Sequence, residues 1–220
     1  MTLPIVVLRP EPGASATAEA AIAMALTIEK IPLFSIAALP WPMPPPTAYD
    51  RLLLTSANAV RHAGPQLQAL LKTPCWVVGG ATARVADAVG LIVERSGSGG
   101  IADLLNGATG PCRLLWLAGE HHSPVPNVPG ITITIAPVYR SSATTIGPSD
   151  IGNAAIFLVH SKRAAARLSA LVSNRASSHI IAISADVARS AGPGWSSVCH
   201  VPTPDDGAML TQAAVLADKG

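Results

Sequence analysis

Charge is scarce in this sequence. Lys and Arg together number 15, Asp and Glu 13, and charged residues make up 13% of the 220 residues, leaving a formal net charge of +2. No basic run of five or more residues occurs, which argues against nucleic acid as a partner. The small positive balance fits a small acidic ligand. Cysteine is equally sparse: Cys75, Cys112 and Cys199 lie far apart with no CxxC spacing. That excludes a disulfide framework and a zinc knuckle, and it suits the reduced thiols of a cytoplasmic protein. No long uninterrupted apolar run exists. The most apolar window, AEAAIAMALTIEKIPLFSIAAL, is broken by Glu29, Lys30 and Pro32, too often to span a membrane. The start, MTLPIVVLRPEPG, lacks the charged region and apolar core of a signal peptide.

Several catalytic signatures are missing too. There is no GxxxxGK[ST] phosphate loop, no HExxH or His-x-His ladder among the six histidines, and no GxSxG elbow. P-loop nucleotide hydrolysis, a metal site and acyl transfer from an elbow serine are therefore disfavoured.

What the chain does have is apolar residues, 49% of the total, enough for one large core or two small ones. Short runs recur: PIVVL (4–8), RLLLT (51–55), WVVG (76–79), LIVE (91–94), RLLWLA (113–118), ITITIA (131–136), AIFLVH (155–160), HIIAIS (179–184) and SVCHV (197–201). Most are apolar on both faces, as strands covered by helices on each side must be. Between many of them lie Ala-rich stretches with helical spacing: 14–26, 56–71, 81–90, 100–107, 161–173, 185–192 and 205–220. Strand and helix in alternation predict parallel α/β sheets.

The pattern repeats within the chain. LLLTSANAV answers FLVHSKRAA about 105 residues later, and GGATARVA answers SADVARSA at the same offset. Ser56 falls with Ser161, Arg84 with Arg189, and Gly99-Gly100-Ile101-Ala102 near Asp206-Gly207-Ala208-Met209. Two equivalent units are implied. The second half supplies one strand too few, so PIVVL is assigned to it. The expected division is 1–34 plus 143–220 for one unit and 37–136 for the other. Crossovers fall at 35–36 and 137–142, the latter reading as polar and turn-rich, with a ligand cleft between the units.

Candidate site residues follow from this layout. Gly79-Gly80-Ala81-Thr82 is a strand, a glycine turn and a helix start, whose free amides suit an anion; Thr82 either caps the helix or offers its hydroxyl. Ser56 with Ala57, and Ser161 with Lys162, sit at equivalent strand ends, as helix caps or as carboxylate binders. Ser184 opens the helix of the matching repeat. Gly97-Ser98-Gly99-Gly100-Ile101-Ala102 imitates a dinucleotide fingerprint, but Glu94, Arg95 and Ser96 separate it from the expected strand and the next helix is short. Gly100 then belongs to an amide-bearing loop. Asp206 suits the N-cap of the last helix. Arg9, ending the first strand, can pair with a ligand carboxylate or with a neighbouring acid. Tyr139 stands in the second crossover, either packed on it or presenting a phenol able to donate a proton.

Taken together, VVLRPEPG, LLLTSANAV, VVGGATARVADAVGLIV, LLWLAGE, PVYRS, VHSKRAAARL and PDDGAML resemble uroporphyrinogen-III synthases over nearly the whole chain, in order. The resemblance implies two flavodoxin-like or Rossmann-like α/β domains joined by a two-stranded crossover. It implies a lyase that closes hydroxymethylbilane to uroporphyrinogen III with loss of water and inversion of the last pyrrole ring, in haem biosynthesis. No cofactor and no metal are implied. The protein is expected to be a monomer, with room for a transient contact with hydroxymethylbilane synthase. Tyr139 matches the tyrosine that assists departure of the hydroxyl, Thr82 a cleft-lining threonine, and Ser56 and Ser161 the strand-end serines. One loop departs: where relatives carry a threonine-bearing segment, this chain has Ser184-Ala185-Asp186, and an aspartate would repel a polycarboxylate unless it is turned to another task. The competing readings are a non-catalytic small-anion binding protein and a nicotinamide oxidoreductase using GSGGIA.

Overall fold

In a computed structural model, residues 3–108, 110–152 and 154–217 are described. The chain runs β1 (Ile5–Val7), α1 (Gly13–Ala23), β2 (Ile28–Lys30), β3 (Phe34–Ala38), β4 (Arg51–Leu54), α2 (Ala57–His62), β5 (Cys75–Val78), α3 (Gly80–Ala88) and β6 (Val93–Gly97). It continues through α4 (Ile101–Leu105), β7 (Cys112–Gly119), β8 (Ile131–Ala143), β9 (Ile156–Val159), α5 (Lys162–Leu171), β10 (His179–Ala182), α6 (Ala185–Ser190), β11 (Ser197–His200) and α7 (Asp206–Ala217). The expected extension of α7 through 218–220 lies outside the described residues. None of the described helices is long and apolar enough to cross a membrane.

Two compact units result, Met1–Ser35 with Ser142–Gly220 and Ile36–Ser141. The first holds a sheet of order β11-β10-β9-β1-β2, parallel throughout. The second contains the order β3-β8-β7-β4-β5-β6, with parallel ladders from β8 to β6. The chain passes from one unit to the other within β3 and within β8, which are neighbours in the second sheet.

Leaving out β3, the two orders are the same fold in permuted chain order. β9, β10 and β11 take the places of β4, β5 and β6, while β1 and β2 take those of β7 and β8. This is the doubly wound order, reversing direction between β1 and β9 in one sheet and between β7 and β4 in the other. The repeat in the sequence covers the three βα units on one side of each reversal.

Each sheet is buried on both faces, which is why its strands read as unbroken apolar runs. In the first unit Val6, Leu8, Phe157, Val159 and Ile180 pack under α5 and α6, while Ile5, Ile156, Leu158 and Ile181 pack under α1 and α7. In the second, Leu52, Leu54, Val77, Leu115 and Leu117 face α2 and α3, whereas Leu53, Trp76, Leu114 and Trp116 face α4. Alternate residues along a strand supply opposite cores.

The structure corrects several boundaries. The helix expected over 56–71 stops at His62; Gly64 takes φ 75° and Pro65 opens a short 3-10 turn. A left-handed glycine followed by proline ends a helix whatever the later apolar spacing suggests. The expected strand 91–94 lies at Val93–Gly97, so Glu94, Arg95 and Ser96 belong to the strand instead of separating it from the glycines. The dinucleotide reading fails for another reason: β6 is an edge strand away from the reversal, and its helix has five residues. The crossover at 137–142 is strand, continuous with β8, and β2 and β3 form where the expected short apolar runs had placed no strand.

Leu54, fully buried on β4 between β5 and β7, reports on this core. Leu54→Ala should destabilise the second unit by about 2–5 kcal/mol, read as a lower urea midpoint with an unchanged slope.

Candidate functional site

In a parallel doubly wound sheet, all strands deliver their C-terminal ends to one edge, and binding concentrates where the order reverses. In the second unit that edge carries the ends of β4, β5, β7 and the middle of β8. Ser56 follows β4 as N-cap of α2, its Oγ accepting the Asn58 N–H at 3.2 Å. Ala57 is the first residue of that helix. A serine oxygen that accepts a backbone N–H keeps its own proton free to donate. Next along, Gly79 takes φ 85° as N-cap of α3 and Gly80 is its first residue. Thr82 makes no cap bond, contrary to one of its two expected roles, and it is 4% exposed. Gly79, free of a Cβ, makes the turn alone. Gly100, φ 98°, caps α4 beyond the edge strand.

Tyr139 is set by a register slip. Ala118 pairs with Pro137, but Gly119 pairs with Tyr139, so Val138 is an extra residue in β8. Pro137 has no N–H to give the ladder, and a bulge of this kind re-aims the following side chain. Val138 is fully buried, and the half-buried Tyr139 ring lies over Gly119. A Cβ on Gly119 would meet Cζ of that ring at 2.7 Å and its hydroxyl at 2.9 Å. The glycine therefore makes the space the phenol occupies. The His62 ring, 6.3 Å away between centroids, packs from α2. Burial, and then the Arg61 charge, push the His62 pKa below its ordinary value, favouring the neutral ring. Beside them, Glu120 forms a two-point pair with Arg140 at 3.0 Å.

In the first unit the reversal lies between β1 and β9. Arg9 follows β1; His160 and Ser161 follow β9. Ser161 caps α5, accepting the Ala164 N–H at 3.1 Å. Arg9 Nη1 donates to both carboxylate oxygens of Asp206, at 3.1 and 2.9 Å. His160 Nε2 lies 2.8 Å from Asp206 Oδ1, and the Thr17 hydroxyl 3.2 Å from Oδ2. Asp206 is not the cap of α7, as the sequence suggested; Asp205 accepts the Ala208 N–H at 2.8 Å, leaving Asp206 free to turn inward. Two strand ends and two helices, α1 and α7, thus converge on one carboxylate.

Ser184 caps α6 through Val187 N–H at 3.4 Å. Asp186 pairs with Arg189 and stands 3.6 Å from Lys162 Nζ. The aspartate that departs from the family pattern is thereby tied to two cations, and Lys162 is an exposed partner of that pair. Sequence reasoning missed Thr17, His160, Gly119 and His62. A glycine ending the strand run LLWLAG was the one visible signal; the Arg9–Asp206 contact spans 197 positions and leaves no local trace. Among the described residues no group of three or more His, Cys, Asp or Glu could hold a metal ion.

The buried pair has a pH signature. Burial lowers the His160 pKa below 6.5, outweighing the Asp206 bond that raises it. Burial would raise Asp206, but its bonds with His160, Arg9 and Thr17 hold it below 3.8. Below about pH 6.5 unfolded His160 takes a proton that the folded ring refuses, so stability falls as pH falls. The Asp206 contribution is complete above the unfolded value and is lost as pH drops through the folded one. Tm should hold above about pH 7, decline through the range below 6.5, and fall again below about 4. Asp206→Asn should remove part of the lower limb, and an unchanged Tm between about pH 7 and 5 would contradict the assignment of His160.

The comparisons with known proteins bear on the same fold. No curated protein matches this sequence. A solved uroporphyrinogen-III synthetase from Helicobacter pylori is similar with a TM-score of 0.65 at 16% identity, covering 97% of this chain and 99% of that one. A mutant uroporphyrinogen III synthase from the extremely thermophilic bacterium Thermus thermophilus is similar with a TM-score of 0.58 at 16% identity, over 99% and 100% of the two chains. At such identity the likeness speaks for the fold. The sequence profile of the family described as Uroporphyrinogen-III synthase HemD matches residues 15–211, most of the chain, and the chain belongs to the uroporphyrinogen-III synthase family.

Proposed function

We propose that the chain closes the linear tetrapyrrole hydroxymethylbilane into uroporphyrinogen III, acting as a hydro-lyase with Tyr139 as proton donor. The observation that carries the assignment of Tyr139 is the bulge that sets its phenol over Gly119 at the C-terminal edge of the second sheet. Family membership favours catalysis over simple anion binding. In the proposed reaction the phenol gives its proton to the terminal hydroxyl, which leaves as water. The carbocation left on the bilane is stabilised by its pyrrole nitrogen and closes onto the substituted carbon of the last ring. The spiro intermediate opens by breaking the bond from its substituted carbon to the neighbouring ring's methylene. That methylene bonds to the free carbon on the other side of the last ring, so that the ring is inverted, and the proton lost from that carbon restores the phenol.

An octacarboxylate needs many contacts, and the chain has few cations to offer. Ser56, Ala57, Gly80, Thr82 and Gly100 from one unit, with Arg9, Ser161, Lys162 and Ser184 from the other, are the proposed contacts. Serine hydroxyls and backbone amides at helix starts share the load. Holding both ends of a flexible chain lowers the entropic part of the barrier by several kcal/mol at the order-of-magnitude level. The competing uncatalysed closure, without inversion, gives the type I isomer. We place the protein in the cytoplasm as a monomer, with any contact to hydroxymethylbilane synthase transient.

Two measurements test this reading. In a coupled assay from porphobilinogen, the wild type should yield the type III isomer, and exclusive formation of type I would refute the activity. Tyr139→Phe should slow single turnover by on the order of 10²-fold without abolishing it; an unchanged rate would remove Tyr139 as donor. Gly119→Ala, which drives a methyl group into the ring, should cause a loss of the same order. It should add little in the Tyr139→Phe background, because both changes act through one hydroxyl.

A further inference from the structure

The contacts of Asp206 leave one side of Arg9 unused. Nη1 makes the contacts to Asp206 and Thr17, and among the described residues no hydrogen bond engages Nε or Nη2. The side chain is 28% exposed. Gly13, at the start of α1, lies against that side: a Cβ there would stand 2.4 Å from Nε, 2.8 Å from Cζ and 3.0 Å from Nη2. Only a residue without a side chain lets the start of α1 approach the guanidinium this closely. Nε and Nη2 together form the two-point edge that matches a carboxylate.

We infer that Asp206 is a positioning residue: it holds Arg9 by Nη1 so that Nε and Nη2 take one carboxylate of the substrate in a two-point grip. This inference rests on the polycarboxylate substrate proposed above. His160 and Thr17 complete the hold by binding the Asp206 oxygens from β9 and α1. An unrestrained arginine would lose rotamer freedom on binding; a restrained one has already lost it in folding. Asp206 cancels the Arg9 charge, so its contribution to binding is geometric.

Geometry and charge make opposite forecasts for Asp206→Asn. That variant makes the site more positive. On charge alone it binds a polyacid more tightly; on positioning it binds less well. The expected result is a KM for hydroxymethylbilane raised about tenfold, with kcat within about twofold of wild type. In an Arg9→Met background the same change should have little further effect on KM, because Asp206 acts through Arg9. Asp206→Glu, which keeps the charge, should recover part of the loss. An unchanged or lowered KM in Asp206→Asn overturns the inference, as does an equal rise in the Arg9→Met background. A purely structural brace would lower Tm and leave KM alone. Should Asp206→Asn fail to fold, Asp206→Glu is judged in its place: a KM equal to wild type then overturns the proposal, and a raised KM that disappears with Arg9→Met supports it. If the wild type makes only the type I isomer, the activity reading fails by itself. Uroporphyrin III binding, followed by tryptophan fluorescence in the same variants, then decides the role of Asp206 by the same signs.

Discussion

Both sheets obey one constraint: a parallel ladder sends every strand end, and the helix start that follows it, to the same edge. The backbone amides of those starts have no partner within their own helices. Each edge is therefore lined with donors before any side chain is chosen. A protein with only 13% charged residues can face a polyacid on these terms. Ser56, Ser161 and Ser184 each satisfy one amide while keeping a hydroxyl proton to give.

Many of the few charges present are committed to one another. Arg51 and Glu94 pair beneath the Trp76 ring, Arg113 holds Asp50, Arg140 holds Glu120, and Asp186 engages Lys162 and Arg189. Exposed pairs of this kind contribute little stability, about 0–1 kcal/mol each. Arg9 with Asp206 differs, because the carboxylate is three-quarters covered and accepts from three side chains on three elements. Removing one member there strands the others, which is where burial makes polar groups costly.

Legibility in the sequence followed burial. Strands covered on both faces, such as RLLWLA and AIFLVH, announce themselves by composition, and their spacing revealed the repeat. β3 and the far half of β8 were hard to read because each is half exposed and carries Pro, Ser or Arg at positions a buried strand would not accept. β2 has three residues, two of them the charged Glu29 and Lys30, too short and too polar to read as a strand. At the site, caps were legible, since Ser before a helix is a local signal. The Asp206 network was not, because α7 and β1 meet only after the sheet has formed. Nor was the importance of Gly119, whose meaning depends on a one-residue slip in a neighbouring strand.

The two halves share a strand order yet differ at their reversals. In the repeat, Gly99 stands where the first unit has Asp206. The first unit therefore fills its reversal with a carboxylate that binds Arg9, His160 and Thr17. The second leaves its corresponding loop as glycine and instead bulges β8, so that a phenol rather than an ion pair lies beside the end of β7. A duplicated fold would give two equivalent edges. Substitution at one loop and a one-residue slip at another leave one edge with an ion pair braced by a histidine and a threonine, and the other with a half-buried phenol over a glycine.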